Sequence, residues 1–254
     1  MKEKKKYTTI VLSDIHLGNN HAKINEVISF LESVSCDKLI LNGDIIDGWK
    51  LQKNNVRWRK RYTRFFRMMM RLMEKGGTKV IYVRGNHDDF LDHIMPFRFL
   101  NFRVVKDYIH YTHGKKYIVI HGDVFDPISS KMPWLAKLGD AGYTFLMWLN
   151  KRHNTKRRKT GLPYKSISQA VKSKIKRVVS YISDFENELV KFAKSRHVDG
   201  IICGHIHTPE NKYLGTLHYL NSGDWVESLT ALVEDVEGKW EIVHYNGIMS
   251  DNKE

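Results

Sequence analysis

Five short apolar runs along this chain each end in the same kind of polar cluster. "TTIVL" leads into Ser13-Asp14-Ile15-His16, and "DKLIL" into Asn42-Gly43-Asp44. "KVIYV" leads through Arg84 into Gly85-Asn86-His87-Asp88, "KYIVI" into His121-Gly122-Asp123, and "DGIIC" into Gly204-His205-Ile206-His207. Continuous β-branched runs predict strands buried on both faces. Helical spacing appears between them, as in Ile24, Ile28 and Leu31. Alternating strand and helix predicts an α/β fold with a largely parallel sheet at its centre. Past residue 215 the pattern changes, and "HYLNSGDWVESLTALVEDVEGKWEIVHYN" reads as antiparallel strands turned at Glu237-Gly238.

Sites in open α/β sheets form just beyond the carboxyl ends of strands, where all five clusters fall. A lone Asp there caps a helix or makes a turn. Turn chemistry does not call for His, and it does not explain five ends rich in Asp, Asn and His. Those three residue types together form a ligand set for divalent metals, and the lack of Cys favours Mn²⁺, Fe²⁺ or Zn²⁺ at a reactive centre over structural zinc. The candidates number about twice what one ion needs, which points to two ions sharing a carboxylate, with Asp44 as the bridge. Cys36 and Cys203 sit among apolar residues and read as buried thiols of a reducing cytosol. No run approaches the roughly 18 apolar residues of a membrane span, so a cytoplasmic protein, or one peripheral on the inner face of the membrane, is expected. The net charge of +14 favours acidic partners, namely phosphorylated substrates, an anionic membrane surface or nucleic acid.

Taken in order, Asp-x-His, Gly-Asp, Gly-Asn-His-Asp, His-Gly-Asp and Gly-His-x-His resemble the calcineurin-like metallophosphoesterase superfamily. The resemblance implies a four-layer α/β/β/α sandwich. It implies one ion held by Asp14, His16, Asp44 and His207, and a second by Asp44, Asn86, His121 and His205. His87 corresponds to the family's non-ligand histidine, which faces the transferred phosphate and protonates the leaving oxygen. Asp88 is expected to hold the His87 ring in its useful tautomer, and Asp89 to cap the following helix. Paired cations would neutralise the phosphate oxygens and make hydroxide available for in-line attack.

The segments "NGDIIDGWK", "HGDVFD", "CGHIHTPE" and "NSGDWVES" most resemble the branch containing UDP-2,3-diacylglucosamine pyrophosphatase of lipid A synthesis. That likeness implies hydrolysis of a lipid-linked nucleotide sugar to UMP and lipid phosphate at the membrane surface. His87 stands where the best-known enzymes of this branch have Arg and matches the wider superfamily instead. A related pyrophosphatase, a sugar-nucleotide hydrolase, another phospholipid phosphoesterase or a metal-dependent phosphodiesterase would therefore share the frame. The 254 residues are expected to form one domain with a helical, lid-like insertion at about 126–182. Its stretch 128–159 is apolar and aromatic, ends in Lys and Arg, and suits either a lipid-facing lid or a helical hairpin packed on the sheet. In "NNVRWRKRYTRFFRMMMRLMEKGG" helical spacing puts Arg57, Arg61, Arg64 and Arg71 on one face. Trp58, Tyr62, Phe65, Met69 and Leu72 lie opposite. The stripe from Ile167 to Leu189 reads as amphipathic, and Ser183-x-x-Glu186 as a break between two helices. A nuclease would also suit the charge, but no nucleic-acid module accompanies it. A non-catalytic interaction module is disfavoured, because every ligand position is filled.

Overall fold

The computed structural model describes residues 4–52, 58–125, 151–155, 157 and 176–246. Strands β1 (Lys5–Leu12), β2 (Val34–Asn42) and β3 (Lys79–Val83), three of the five apolar runs, pair in parallel as predicted, and β5 (Phe102–Val105), which the runs did not show, adds in parallel to β3. β4 (Phe97–Phe99) adds antiparallel to β5 at one edge. At the other edge β11 (Thr230–Glu234) pairs antiparallel with β1, and β12 (Trp240–His244) with β11, completing a seven-stranded sheet. The turn between β11 and β12 closes at Gly238, in the left-handed region at φ 77°, as the Glu237-Gly238 pair predicts.

The remaining two apolar runs do not join that sheet. β7 (Lys115–Val119) and β8 (Gly200–Cys203) pair in parallel within a second, five-stranded sheet, ordered β6-β7-β8-β10-β9. Its other members are β6 (Tyr108–Thr112), β9 (Glu210–Leu214) and β10 (Leu217–Asn221). Alternation along each strand sends one set of side chains into the space between the sheets. Val11, Ile40, Ile81, Val83 and Leu232 meet Tyr117, Val119, Ile202 and Leu220 there. Each such side chain contributes about 1.5–3 kcal/mol by leaving water.

The opposite face of the seven-stranded sheet carries Ile10, Leu12, Leu39, Leu41, Val80 and Tyr82. Helices α1 (Ile24–Ser33) and α3 (Lys60–Gly76) cover it, with α2 (Gly48–Leu51) a single turn between them. Ile24, Val27, Ile28 and Leu31 are the buried stripe of α1. In α3 the stripe is Tyr62, Phe65, Met68 and Met69, and the helix stops at Gly77 in the left-handed conformation. Trp58 was expected on that stripe, but α3 begins at Lys60, so Trp58 precedes the helix and is exposed. Arg57 lies outside the described residues. Two sheets with helices make the mixed α/β sandwich that the resemblance implies.

The chain divides into two compact units, residues 1–122 with 193–254, and residues 123–192. The insertion expected at about 126–182 falls in the second unit and lies almost wholly outside the described residues. Helix α4 (Lys176–Arg196) runs without interruption through Ser183 and Glu186, so the expected break is not there. Its buried Phe185, Leu189 and Ala193 recur every four residues, and that stripe carries the helix past a local capping pattern. No described helix is long and apolar enough to cross a membrane.

Candidate active site

Register brings the polar ends together. Leu12 aligns with Leu41, Asn42 with Val83, and Val119 with Ile202, so β1, β2, β3, β7 and β8 all end at one rim. Backbone bonds then lace the following loops. Asp14 N–H donates to Gly43 O at 3.0 Å, His16 N–H to Asp44 O at 2.8 Å, and Gly204 N–H to His121 O at 2.9 Å.

Asp14, His16, Asp44, His205 and His207 all have a left-handed backbone, with φ between 53° and 64°. Non-glycine residues rarely adopt it, and such strain gathers at functional sites. Here it turns each side chain sharply off its strand toward the rim. Neighbouring glycines make the room. A Cβ on Gly85 would overlap the backbone N and Oδ1 of Asp44, one on Gly43 would overlap the His121 ring, and one on Gly204 would lie 2.6 Å from Asp14 Oδ2.

Ligand-type atoms converge as a result. Asp14, His16 and His207 form one group within 4.8 Å, Asp44, His121 and His205 a second, and His16, Asp44 and His87 a third. Asp44 belongs to two of these, with Oδ2 3.4 Å from His121 Nε2 and 3.9 Å from both His16 Nε2 and His87 Nε2. Asp14 Oδ1 lies 3.1 Å from His207 Nε2. Asn86 Oδ1 is buried with no hydrogen-bond partner.

The electrostatics suit cations. Burial works to raise the Asp44 carboxyl, but His121 and His87 outweigh it and hold it well below the usual range. Burial likewise opposes ionisation of Asp14, and His207 and His121 again prevail, holding it low. Burial pushes His16 down to about 4, which leaves a neutral ring with a lone pair to donate. Two buried carboxylates, neutral imidazole and an unmet amide oxygen fit divalent metal ions, which would satisfy the acceptors that the protein leaves unbonded. The His121 ring is oriented by Nδ1–H donating to Asn42 O at 2.9 Å, a usual arrangement behind a ligating histidine.

His87 stands beside the cluster. Its N–H donates to Asp44 Oδ1 at 2.8 Å. The carboxylate on its ring is Asp47, whose Oδ1 lies 3.1 Å from Nδ1, and not the expected Asp88. Asp88 faces away, into the protein, because adjacent residues leaving a strand point in different directions. It accepts from Ile45 N–H at 3.2 Å, Ile46 N–H at 2.8 Å and Tyr82 O–H at 2.9 Å, and so fastens the loop that carries Asp44. Burial and the nearby Asp44 charge raise the Asp88 carboxyl to about 7. Asp89 begins a short 3₁₀ turn, Asp89–His93, and accepts from Trp49 Nε1–H at 3.3 Å.

Sequence reading missed Asp47 and Trp49. The Trp49 ring lies against His87 with centroids 4.2 Å apart. The available signal was the second carboxylate three residues after Asp44 in "GDIIDGW", followed by Gly48, where a Cβ would lie 2.8 Å from His87 O. Gly48 N–H bonds His87 O at 3.0 Å, so this turn and the His87 turn are joined directly.

The sequence model of the family described as calcineurin-like phosphoesterase matches residues 7–209. No curated protein matches. Among solved structures the chain is similar to a conserved Streptococcus pneumoniae protein described as a predicted phosphoesterase, with 16% identity, 96% of this chain and 92% of that one covered, and a TM-score of 0.39. It is similar to an archaeal phosphodiesterase at 13% identity, with 93% and 98% covered and a TM-score of 0.46. It is also similar to zinc-complexed Vps29 from Entamoeba histolytica at 15% identity, with 94% and 99% covered and a TM-score of 0.43. On the family match and the converged His and Asp side chains, the chain belongs to the calcineurin-like phosphoesterase family and is a phosphoester hydrolase.

Proposed function

We propose that this hydrolase uses two divalent ions, with Mn²⁺ preferred, to cleave the pyrophosphate of a lipid-linked nucleotide sugar such as UDP-2,3-diacylglucosamine. The products would be UMP and lipid phosphate. The observation that carries the dimetal reading is Asp44, which stands between two sets of ligand-type side chains. Asp14, His16, Asp44 and His207 would hold one ion, and Asp44, Asn86, His121 and His205 the other. When bound, the ions supply charge neutralisation at phosphate oxygens and a water of lowered pKa. The chain itself supplies the proton chemistry. Asp47 accepts from His87 Nδ1–H, and Nε2 lies 3.9 Å from Asp44 Oδ2, so the ring in its doubly protonated form can give the Nε2 proton to a departing oxygen and keep the one on Nδ1.

The nucleotide-lipid substrate rests on the four segments "NGDIIDGWK", "HGDVFD", "CGHIHTPE" and "NSGDWVES", together with the basic charge. His87 favours a second reading, a phosphodiesterase of the same family with another substrate, because the best-known enzymes of the lipid A branch have Arg there. Purified protein with Mn²⁺ is expected to hydrolyse an aryl phosphodiester, and His121→Ala to lose both metal and activity. Full activity after rigorous metal removal overturns the dimetal reading. Release of UMP from the lipid-linked nucleotide sugar, at a kcat/KM well above that for simple nucleotides, supports the first substrate. Equal rates on both support the second.

A further inference from the structure

Five of the eleven large apolar side chains that stand exposed among the described residues lie in one stretch, between Phe90 and Leu100. Ile94 is 53% exposed, Phe97 43%, Phe99 63% and Leu100 78%. Single exposed apolar residues are ordinary, whereas a contiguous group marks a contact surface. Register explains why these stay uncovered. Phe97 pairs with Val104 and Phe99 with Phe102, so both phenylalanines share the face that carries buried Val104 into the helix-side core. The apolar face of the sheet thus runs on past its helical cover, out to the edge strand.

The other face of the same ribbon is cationic. Arg98 sits directly opposite Arg103, and both are exposed. Like charges across a strand pair repel, and neither guanidinium has a carboxylate partner among the described residues. An external anion between them would relieve that repulsion. A ribbon with phenylalanines on one side and arginines on the other suits a lipid interface, where aromatic rings enter the acyl boundary and arginine stems reach back to phosphates. The net charge of +14 acts in the same direction.

We propose that the Ile94–Leu100 edge is a membrane wedge. Ile94, Phe97, Phe99 and Leu100 enter an anionic bilayer, and Arg98 and Arg103 bind lipid phosphates. Phe90, four residues before the wedge, lies against Gly48 in the loop of Asp47, and Gly48 bonds His87. The wedge's use to the enzyme rests on the reading of a membrane-borne substrate, but the docking itself can be tested without substrate.

The test is sedimentation of the full chain with phosphatidylglycerol vesicles and with neutral phosphatidylcholine vesicles. Changing Phe97→Ser, Phe99→Ser and Leu100→Ser together is expected to weaken binding to anionic vesicles at least about tenfold, given the apolar area withdrawn. Changing Arg98→Gln with Arg103→Gln is expected to abolish the preference for anionic over neutral vesicles. All these side chains are exposed, so folding and hydrolysis of a soluble aryl phosphodiester should be unchanged. In a separate variant, Phe99→Trp, the new indole should shift its emission to the blue on adding anionic vesicles. Wild-type protein that stays in solution, or a triple variant that sediments as wild type does, overturns the wedge. So does a triple variant whose only defect is loss of a dimer, which would make a second copy the occupant. If vesicles bind but no lipid-linked nucleotide is cleaved, the substrate reading fails and the wedge stands.

Discussion

His87 gives one ring nitrogen to Asp47 and turns the other toward Asp44. To donate from Nε2 the ring must carry a proton on both nitrogens, and the Asp47 carboxylate, bonded to Nδ1–H, orients that charged ring and balances its charge. Burial opposes the charge on Asp47, but His87 and His16 outweigh it and hold the carboxyl below its usual range, so it is an anion at neutral pH. Asp47→Asn should therefore lower kcat by about 10–100-fold with KM and bound metal little changed. Steady-state kinetics beside metal analysis would check this. A parallel loss of metal would show that Asp47 supports the ligands and not the acid. Asp88→Ala should behave differently. It strands two backbone N–H groups and the Tyr82 hydroxyl, each worth about 1–3 kcal/mol when buried and unmet, so the urea midpoint should fall well before any effect on a fully folded sample is seen. At this scale the residue types that converge were legible, because Asp, Asn and His recur at five strand ends where turn chemistry does not call for His. Partnership was not. Adjacency in sequence pointed to Asp88 for His87, while the fold supplied a carboxylate from forty residues away.

The strand-to-loop turns are the elements that make the site, and their tightness is a backbone property. Gly43 adopts φ 80° and has the His121 ring where a Cβ would be. Gly43→Ala should thus cost about 1–3 kcal/mol in unfolding free energy and weaken metal binding, since His121 must move aside. Denaturant unfolding and metal titration would measure the two effects. A variant with unaltered metal affinity would show that the turn is not what sets the ligand geometry. The five strands that feed these turns could be read directly, because a strand buried on both faces is a continuous apolar run. β4, β6 and β9 could not. They are edge or outer strands with exposed residues, and "FRF", "YIHYT" and "ENKYL" carry no such run. The division of the five runs between two sheets was also invisible, since parallel neighbours look alike whichever sheet they join. Ser183 and Glu186 misled in the other direction, because a capping pattern also occurs inside a helix whose apolar stripe continues.

What joins the two sheets is apolar contact together with several polar links, one of which runs through a buried histidine. Lys38 of β2 donates from Nζ to His110 Nδ1 of β6 at 2.9 Å, and His110 Nε2–H donates to Glu234 Oε2 of β11 at 3.0 Å. His110 and Glu234 are almost fully buried, so the chain ties one sheet to the other across dry core. A charge in such a place persists only when bonded, and removing one member leaves the others unpaired. Burial tends to raise the Glu234 carboxyl, but its hydrogen bond from His110 wins and holds it below its ordinary value of 4.5. The sign follows from linkage. A carboxyl depressed in the folded state stabilises fully above its unfolded value, and that stability is lost as pH falls through the folded value. Wild-type protein should accordingly lose stability on acidification below about 4.5 partly through this group. Glu234→Gln should be less stable at pH 7, on the order of 3 kcal/mol, because Lys38 then lacks a buried counter-charge. The gap should narrow as the wild-type carboxylate takes up its proton. Unfolding curves of both proteins from pH 3 to pH 8 would show that convergence. A constant difference across the range would mean that Glu234 contributes packing and hydrogen bonding alone, and that its charge does not help hold the two sheets together.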